Sequence, residues 1–337
     1  MAEEIIAPDG SPMRAAVIGC RDIDKSLAFY RDRIGLSVLA DELLSGAAFR
    51  DFWHLNGGAS ARAILLGQGD EGVGQVLLLD FHLPEGSAKP VEIRDRSIVR
   101  AYGCFNLNFY TADIHRDFEG LKKDGFVLWS DPVQHFFGDD VGDPIEGIFE
   151  GPDRVPINLV ELATRDPATR VGQMRAYVEE RGYTSAGFTP IVTSSHGVDS
   201  SERAMAWYEQ VLNMKPLIDE VLGTPESNRL LNLPEDAKTR VVFMQGNHMF
   251  GKVVLSQPLN YECESLIKRA KPPNIGYLAQ AFTVSDLEEA AGRCSALKVE
   301  ILSKPQSTPW PGSGGVSAML VRNPGSGALQ VLMEDPR

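Results

Sequence analysis

The chain repeats itself, and the repeat decides most of what it can fold into. Residues 15–42, AAVIGCRDIDKSLAFYRDRIGLSVLADE, read as a strand, an Asp-led turn, an amphipathic helix ending on Phe29 and Tyr30, a glycine and a second strand. Residues 190–220, PIVTSSHGVDSSERAMAWYEQVLNMKPLIDE, follow the same order, with Trp207 and Tyr208 in the matching place. In both, an Asp or Ser stands where a helix N-terminus needs a side-chain acceptor, and the aromatic pair falls where a helix would press on a sheet. The later segments match too: FNLNFYTADIHRDFEGLKKDGFVLWSDP parallels LAQAFTVSDLEEAAGRCSALKVEILSKP, and GPDRVPINLVELA parallels NPGSGALQVLMED. Asp113 and Asp286 are separated by the same stretch of chain as Ser130 and Ser303, so the match exceeds shared composition. The chain is a tandem duplication. Each half holds two strand–helix–strands units, beginning near Ala15 and Phe105 in the first and near Ile191 and Tyr277 in the second.

Between the halves, RDPATRVGQMRAYVEERGYTSAG starts with a capping Asp and a Pro, continues as a mostly polar helix and stops at glycine. The expected organisation is a tail at 1–12, a first domain at 13–164, a connector helix within 165–186 and a second domain at 187–337. A 43% hydrophobic content over 337 residues is enough to bury a core in each half. The formal net charge of -13, with no basic run, argues against a nucleic-acid partner. No segment approaches the roughly 18 consecutive apolar residues of a membrane helix, and the acidic opening MAEEIIAPDGSP is unlike a signal peptide. A soluble, cytoplasmic protein without a membrane partner is expected. Cys20, Cys104, Cys263 and Cys294 lack CxxC spacing, which suggests buried thiols rather than a zinc knuckle or a redox pair.

One strand is unusual. In CFNLNFYTAD, residues 104–113, Phe105, Leu107 and Phe109 alternate with Asn106, Asn108 and Tyr110. Alternation ordinarily means one face on the core and one in water. Asn is depleted in strands, however, so two amides beside a phenol read as the lining of an interior cup, with loop satisfaction at a rim as the alternative.

The phrase formed by Asp22, Ser26, Phe29, Tyr30 and Gly35, with the later Gly-Pro-Asp before an alternating strand, resembles the vicinal oxygen chelate superfamily. That superfamily includes glyoxalase I, extradiol dioxygenases, bleomycin and fosfomycin resistance proteins and methylmalonyl-CoA epimerase. The resemblance covers about residues 13–163 and 187–335. It implies an α+β fold of tandem glyoxalase-like domains, each of two βαβββ modules forming a curled, cup-shaped mixed sheet around a small-molecule ligand. It leaves open whether modules pair within one chain or across a homodimer. It is weak for function, because the same cup hosts isomerases, lyases, dioxygenases and plain binders.

Metal-dependent members hold a divalent ion with His, Gln or Glu on the first strand of each module and Glu on the closing strand. Carried over singly, the resemblance places these positions at Ala15 or Ala16, Asn106 and Asn158 in the first half, and at Val192 or Thr193, Ala279 and Gln330 in the second. Neutral amides and alanines do not make a zinc or iron site, so neither a metal nor another cofactor is expected. A displaced divalent site drawing on Asp80, His82, His135 and Glu161 is the alternative.

In GQVLLLDFHLP, residues 74–84, Asp80 and His82 share a face with Leu78 and could be a base and its orienting partner, or a solvated strand end. Asp80, His82 and Tyr110 are therefore the catalytic candidates. Asn106, Asn108 and Asn158 are candidates for binding an oxyanion. His135, Phe137 and Trp310 lie in loops that lie over the cup in relatives, and Gln257 and Gln330 keep the second half in contention. Ala279, Ala281 and Thr283 replace Asn106, Asn108 and Tyr110, which points to the first half as the active cup. The expected activity is a metal-independent isomerase or lyase moving a proton on a small apolar or aromatic carbonyl, carboxylate or phenolic compound. The alternatives are a drug-resistance-like binder without chemistry and a metal-dependent glyoxalase or dioxygenase type.

Overall fold

The computed structural model describes residues 7–69, 72–96, 100–134 and 137–335. The first module holds β1 (Met13–Gly19), α1 (Ile23–Leu27), β2 (Ser37–Leu44), α2 (Ala47–Trp53), β3 (Ser60–Gly67) and β4 (Gln75–His82). The second holds β5 (Ala101–Tyr110), α3 (Ile114–Lys123), β6 (Val133–Gln134), β7 (Ile145–Glu150) and β8 (Pro156–Glu161). The connector α4 (Arg170–Arg181) leads to the third module: β9 (Thr193–Gly197), α5 (Ser201–Leu212), β10 (Lys215–Leu222), α6 (Pro225–Leu230), β11 (Thr239–Gln245) and β12 (Lys252–Pro258). A short β13 (Glu264–Ser265) precedes the fourth: β14 (Gly276–Val284), α7 (Leu287–Ala296), β15 (Ile301–Thr308), β16 (Val316–Arg322) and β17 (Leu329–Glu334). The module helices start as their sequence proposes. Asp22, Asp113, Ser200 and Asp286 each accept a hydrogen bond from a backbone N–H in the first turn.

Two curled mixed sheets result, and they cut across the duplication. One runs β15-β16-β17-β14-β1-β4-β3-β2, joining the first module to the fourth; the other runs β10-β11-β12-β9-β5-β8-β7-β6, joining the second to the third. The expectation that a cup belongs to residues 13–164 is corrected: modules pair within the chain, but across the halves. The repeat could not reveal this, because every module offers the same edge strand. The seams are alike as well. Gly19 faces Gly276, and Gly197 faces Tyr102 and Gly103. A Cβ on Gly19 would lie 2.2 Å from the Asn274 carbonyl oxygen, and one on Gly197 2.1 Å from that of Ala101.

Within each half, the two modules meet instead where the start of a helix touches a loop. Ser26 Oγ donates to Asp153 Oδ2 at 2.6 Å and Arg21 N to Asp153 Oδ1 at 2.8 Å, which links the Ser of the helix motif to the Asp of Gly-Pro-Asp. Asp199 N donates to the Gly325 carbonyl at 2.7 Å in the second half.

One large core lies between the outer faces of the sheets and their helices, including Phe29, Tyr30, Phe149, Trp207, Tyr208 and Phe282. A second fills the concave side of the first sheet. There α2 inserts Phe49, Phe52 and Trp53 against a floor of Ala15, Ala61, Ala63, Ala279, Ala281 and Ala318. The small side chains make room for the large ones, so this cup is plugged by its own chain. Among the described residues no helix is long and apolar enough to cross a membrane.

Candidate functional site

The second sheet keeps an open cup, and its floor can be built strand by strand. Lys252 on β12 is opposite Thr193 on β9, Thr193 opposite Asn108 on β5, and Asn108 opposite Asn158 on β8. Directly opposed residues share a face, so these four form one polar row across the sheet. A neighbouring row brings Val254, Ser195 and Asn106 together; Ser195 Oγ donates to Asn106 Oδ1. Asn158 Nδ2 donates to Glu146 Oε2 on β7 at 2.6 Å. Asn106 and Asn158 are each 3% exposed. The oxygens Asn108 Oδ1 and Asn158 Oδ1 are shut off from solvent and have no hydrogen-bond partner among the described residues. Leaving a buried acceptor unmet costs about 1–3 kcal/mol, so a ligand donor is favoured at this point.

The walls are apolar. Phe137, Val141, Leu162, Val171 and Met174 close one side, and Leu230, Leu231, Val241 and Phe243 the other, around a cavity of ≈ 150 Å³. Phe137 meets Phe243 edge to face at 6.5 Å. A space of about this size holds a single benzene-like ring. The connector α4 contributes Arg170, Val171 and Met174, so the segment between the halves is itself a wall of the site. Its first N–H groups are already used: Arg170 N donates to the Asp140 carbonyl, Val171 N to the Val141 carbonyl and Gly172 N to Thr169 Oγ1.

The structure brings some expected residues together and separates others. Asn106, Asn108, Tyr110, Asn158 and Phe137 all line the cup. His135 lies outside the described residues. Asp80 and His82 do not reach it. They are neighbours, His82 Nε2 lying 3.8 Å from Asp80 Oδ2 with side chains 53% and 33% exposed, but on the first sheet. Leu77, Leu79 and Phe81 take the concave side against the oily plug, which turns Asp80 and His82 outward. Trp310, 7% exposed, packs in that plug rather than over an open cup.

Gln330 is a register error with a definite cause. Ala281 pairs with Val331 as Asn108 pairs with Asn158, so Val331, not Gln330, is the structural equivalent of Asn158. Aligning GPD with NPG slipped the closing strand by one residue, and one residue turns a strand side chain to the opposite face. Gln330 instead donates to Tyr208 Oη at 2.6 Å and to Gln280 Oε1 at 3.0 Å in a buried helix-side network. Gln257 also faces the helices, accepting from Ser201 N at 3.1 Å. Glu161 Oε2 accepts from Ile114 N at 3.0 Å at the start of α3.

Sequence reading missed Glu146, Ser195, Lys252 and Arg100. The alternation Lys252, Val254, Ser256 was a signal comparable to that of CFNLNFYTAD. Lys252 is 3% exposed and its Nζ donates to the Met249 carbonyl. Around the cup, burial holds Arg94 down to about 10, with repulsion from Arg100 adding to it, and burial lowers Arg100 too.

The donor set can be tested against a divalent ion. The floor offers amides, hydroxyls, one Lys and one carboxylate, and among the described residues no group of three or more His, Cys, Asp or Glu could hold a metal. These residues do not fit zinc or iron.

Comparison with known proteins agrees with the architecture. The chain resembles glyoxalase I from Zea mays, at 18% identity over 96% of this chain and 92% of that one, with a TM-score of 0.60. It also resembles a putative dioxygenase from Bacillus subtilis subsp. subtilis str. 168, at 12% identity over 98% and 86%, with a TM-score of 0.52. At such identities the likeness is one of fold. None of the curated protein sequences matches the chain significantly. The family model for the Glyoxalase/Bleomycin resistance protein/Dioxygenase superfamily matches residues 14–159 and 195–331. Two curled sheets from four repeated modules, the open cup and this match over most of the chain together make the protein a member of that superfamily.

Proposed function

We propose that the cup between the second and third modules binds a ring-sized carbonyl compound and moves a proton on it without a metal, as an isomerase or lyase. The observation that carries this is Glu146, a carboxylate held by the Asn158 amide at 2.6 Å on the floor of an apolar-walled cavity. A carboxylate fixed in place among apolar walls is suited to accept a proton from carbon next to a carbonyl. The Thr193 hydroxyl and the Asn108 amide on the same floor are suited to the developing oxyanion. Asp80 and His82 drop out of this reading, because they lie on the other sheet.

The test is hydrogen–deuterium exchange at the acidic carbon of ring-sized keto acids and aryl ketones, followed by NMR. Glu146→Gln should cut exchange by about 100-fold or more while dissociation constants stay within about threefold. Exchange that survives the substitution would remove Glu146 from the chemistry. A second reading, plain ligand binding, is favoured by the two acceptor oxygens of Asn108 and Asn158, which hold a donor without transforming it. It predicts tight binding with no exchange in either protein.

A further inference from the structure

The cup is positive inside an acidic protein. Of its described lining residues Arg100, Arg170 and Lys252 are cationic and Glu146 alone is anionic, in a chain of formal net charge -13. The cations differ in setting. Arg170 begins α4, and Lys252 donates to the Met249 carbonyl from the floor. Arg100 stands just before β5, on the segment joining the first two modules. Its guanidinium carbon is 4.6 Å from the centroid of Phe105, a ring that also lines the cup, and the Arg94 guanidinium lies 5.2 Å from the same ring. Among the described residues, Arg100 Nε has no hydrogen-bond partner and is closed to solvent. A desolvated guanidinium with an unused N–H is completed by an anion, most strongly by a carboxylate that takes its planar donors.

The opposite end of the floor asks for the reverse. Asn108 Oδ1 and Asn158 Oδ1 are acceptors lacking a donor among the described residues. From Phe105 to Asn108 is three residues of strand, about 10 Å. We infer that the cup selects a ring-sized monocarboxylate, its carboxylate against Arg100 beside Phe105 and a hydrogen-bond donor such as a hydroxyl at its far end against Asn108 and Asn158. This deepens the proposed function and rests on the second cup being the ligand site.

The probes are 4-hydroxybenzoate, its methyl ester and phenol, titrated calorimetrically at pH 7 into the unaltered protein and into Arg100→Gln. The acid should bind about tenfold or more tighter than the ester, and Arg100→Gln should remove that preference while leaving the ester within about threefold. Equal binding of acid and ester overturns the carboxylate subsite yet leaves the cup as the ligand site. Failure of all three probes to bind overturns both. Should Arg100→Gln not fold, the acid-to-ester ratio on the unaltered protein decides: a ratio above about ten supports the subsite, and a ratio near one sinks it.

Discussion

Single side chains decide which face of each strand does what. His196 shows the cost of a polar group turned to the wrong solvent. It is fully buried, its Nδ1 2.9 Å from Ser326 Oγ and its Nε2 3.1 Å from Tyr208 Oη, and burial pushes its pKa down to about 3. The unfolded chain takes up this proton below about 6.5, and the native protein only near 3. Stability is therefore full above about 6.5 and drains on acidification, with a slope from this group approaching 1.4 kcal/mol per pH unit. Urea unfolding of His196→Gln between pH 3 and pH 7 should give a slope shallower by about one proton; an unchanged slope would mean that other groups carry the acid limb.

Single residues of the sequence were informative where their pattern was unusual. The amide face of CFNLNFYTAD pointed inward, as alternation and the rarity of Asn in strands suggested. Asp80 and His82 share a face just as alternation requires, but period two alone does not say which face is concave. That depended on α2, which no strand pattern encodes. Gln330 failed by one residue of register. Glu146 was legible only once its strand was known to adjoin that of Asn158.

At the scale of elements, the two cups differ through one short helix. In the first module α2 drops Phe49, Phe52 and Trp53 into the sheet; in the third, α6 stands at the rim and lends the cup only Leu230 among its own residues. Phe52→Ala should cost about 3–5 kcal/mol, whereas Phe243→Ala, on the wall of an existing cavity, should cost well under half of that. Equal losses in thermal unfolding would deny that the first cup is a packed core. The seams are open to the same kind of test. Gly197→Ala places a methyl group against a carbonyl and should destabilise by about 1–3 kcal/mol or more. Gly292→Ala, on an exposed face of α7 with nothing within 4 Å of the new carbon, should stabilise by about 0.5–1 kcal/mol.

For the whole molecule, duplication and assembly are separate facts. The four modules, their helices and the connector were readable from the repeat, because capping residues, aromatic pairs and turn glycines act locally. Which module pairs with which was not, since β1, β5, β9 and β14 present similar edges and the choice lies in contacts between modules, such as Ser303 Oγ to the Phe52 carbonyl at 2.8 Å. It follows that neither half can form a cup alone. Separately expressed halves should be aggregation-prone through bare strand edges, and should regain ligand binding only when mixed during refolding; a first half that binds ligand by itself would contradict the topology.

The proposed ligand site is the second cup, the first being closed by α2. Titration of 4-hydroxybenzoate into Asn108→Ala with Asn158→Ala, and separately into Asp80→Ala with His82→Ala, tests it most directly. At least about a tenfold loss of affinity is expected in the first pair and no change in the second; loss in the second pair with retention in the first would place the ligand on the other sheet.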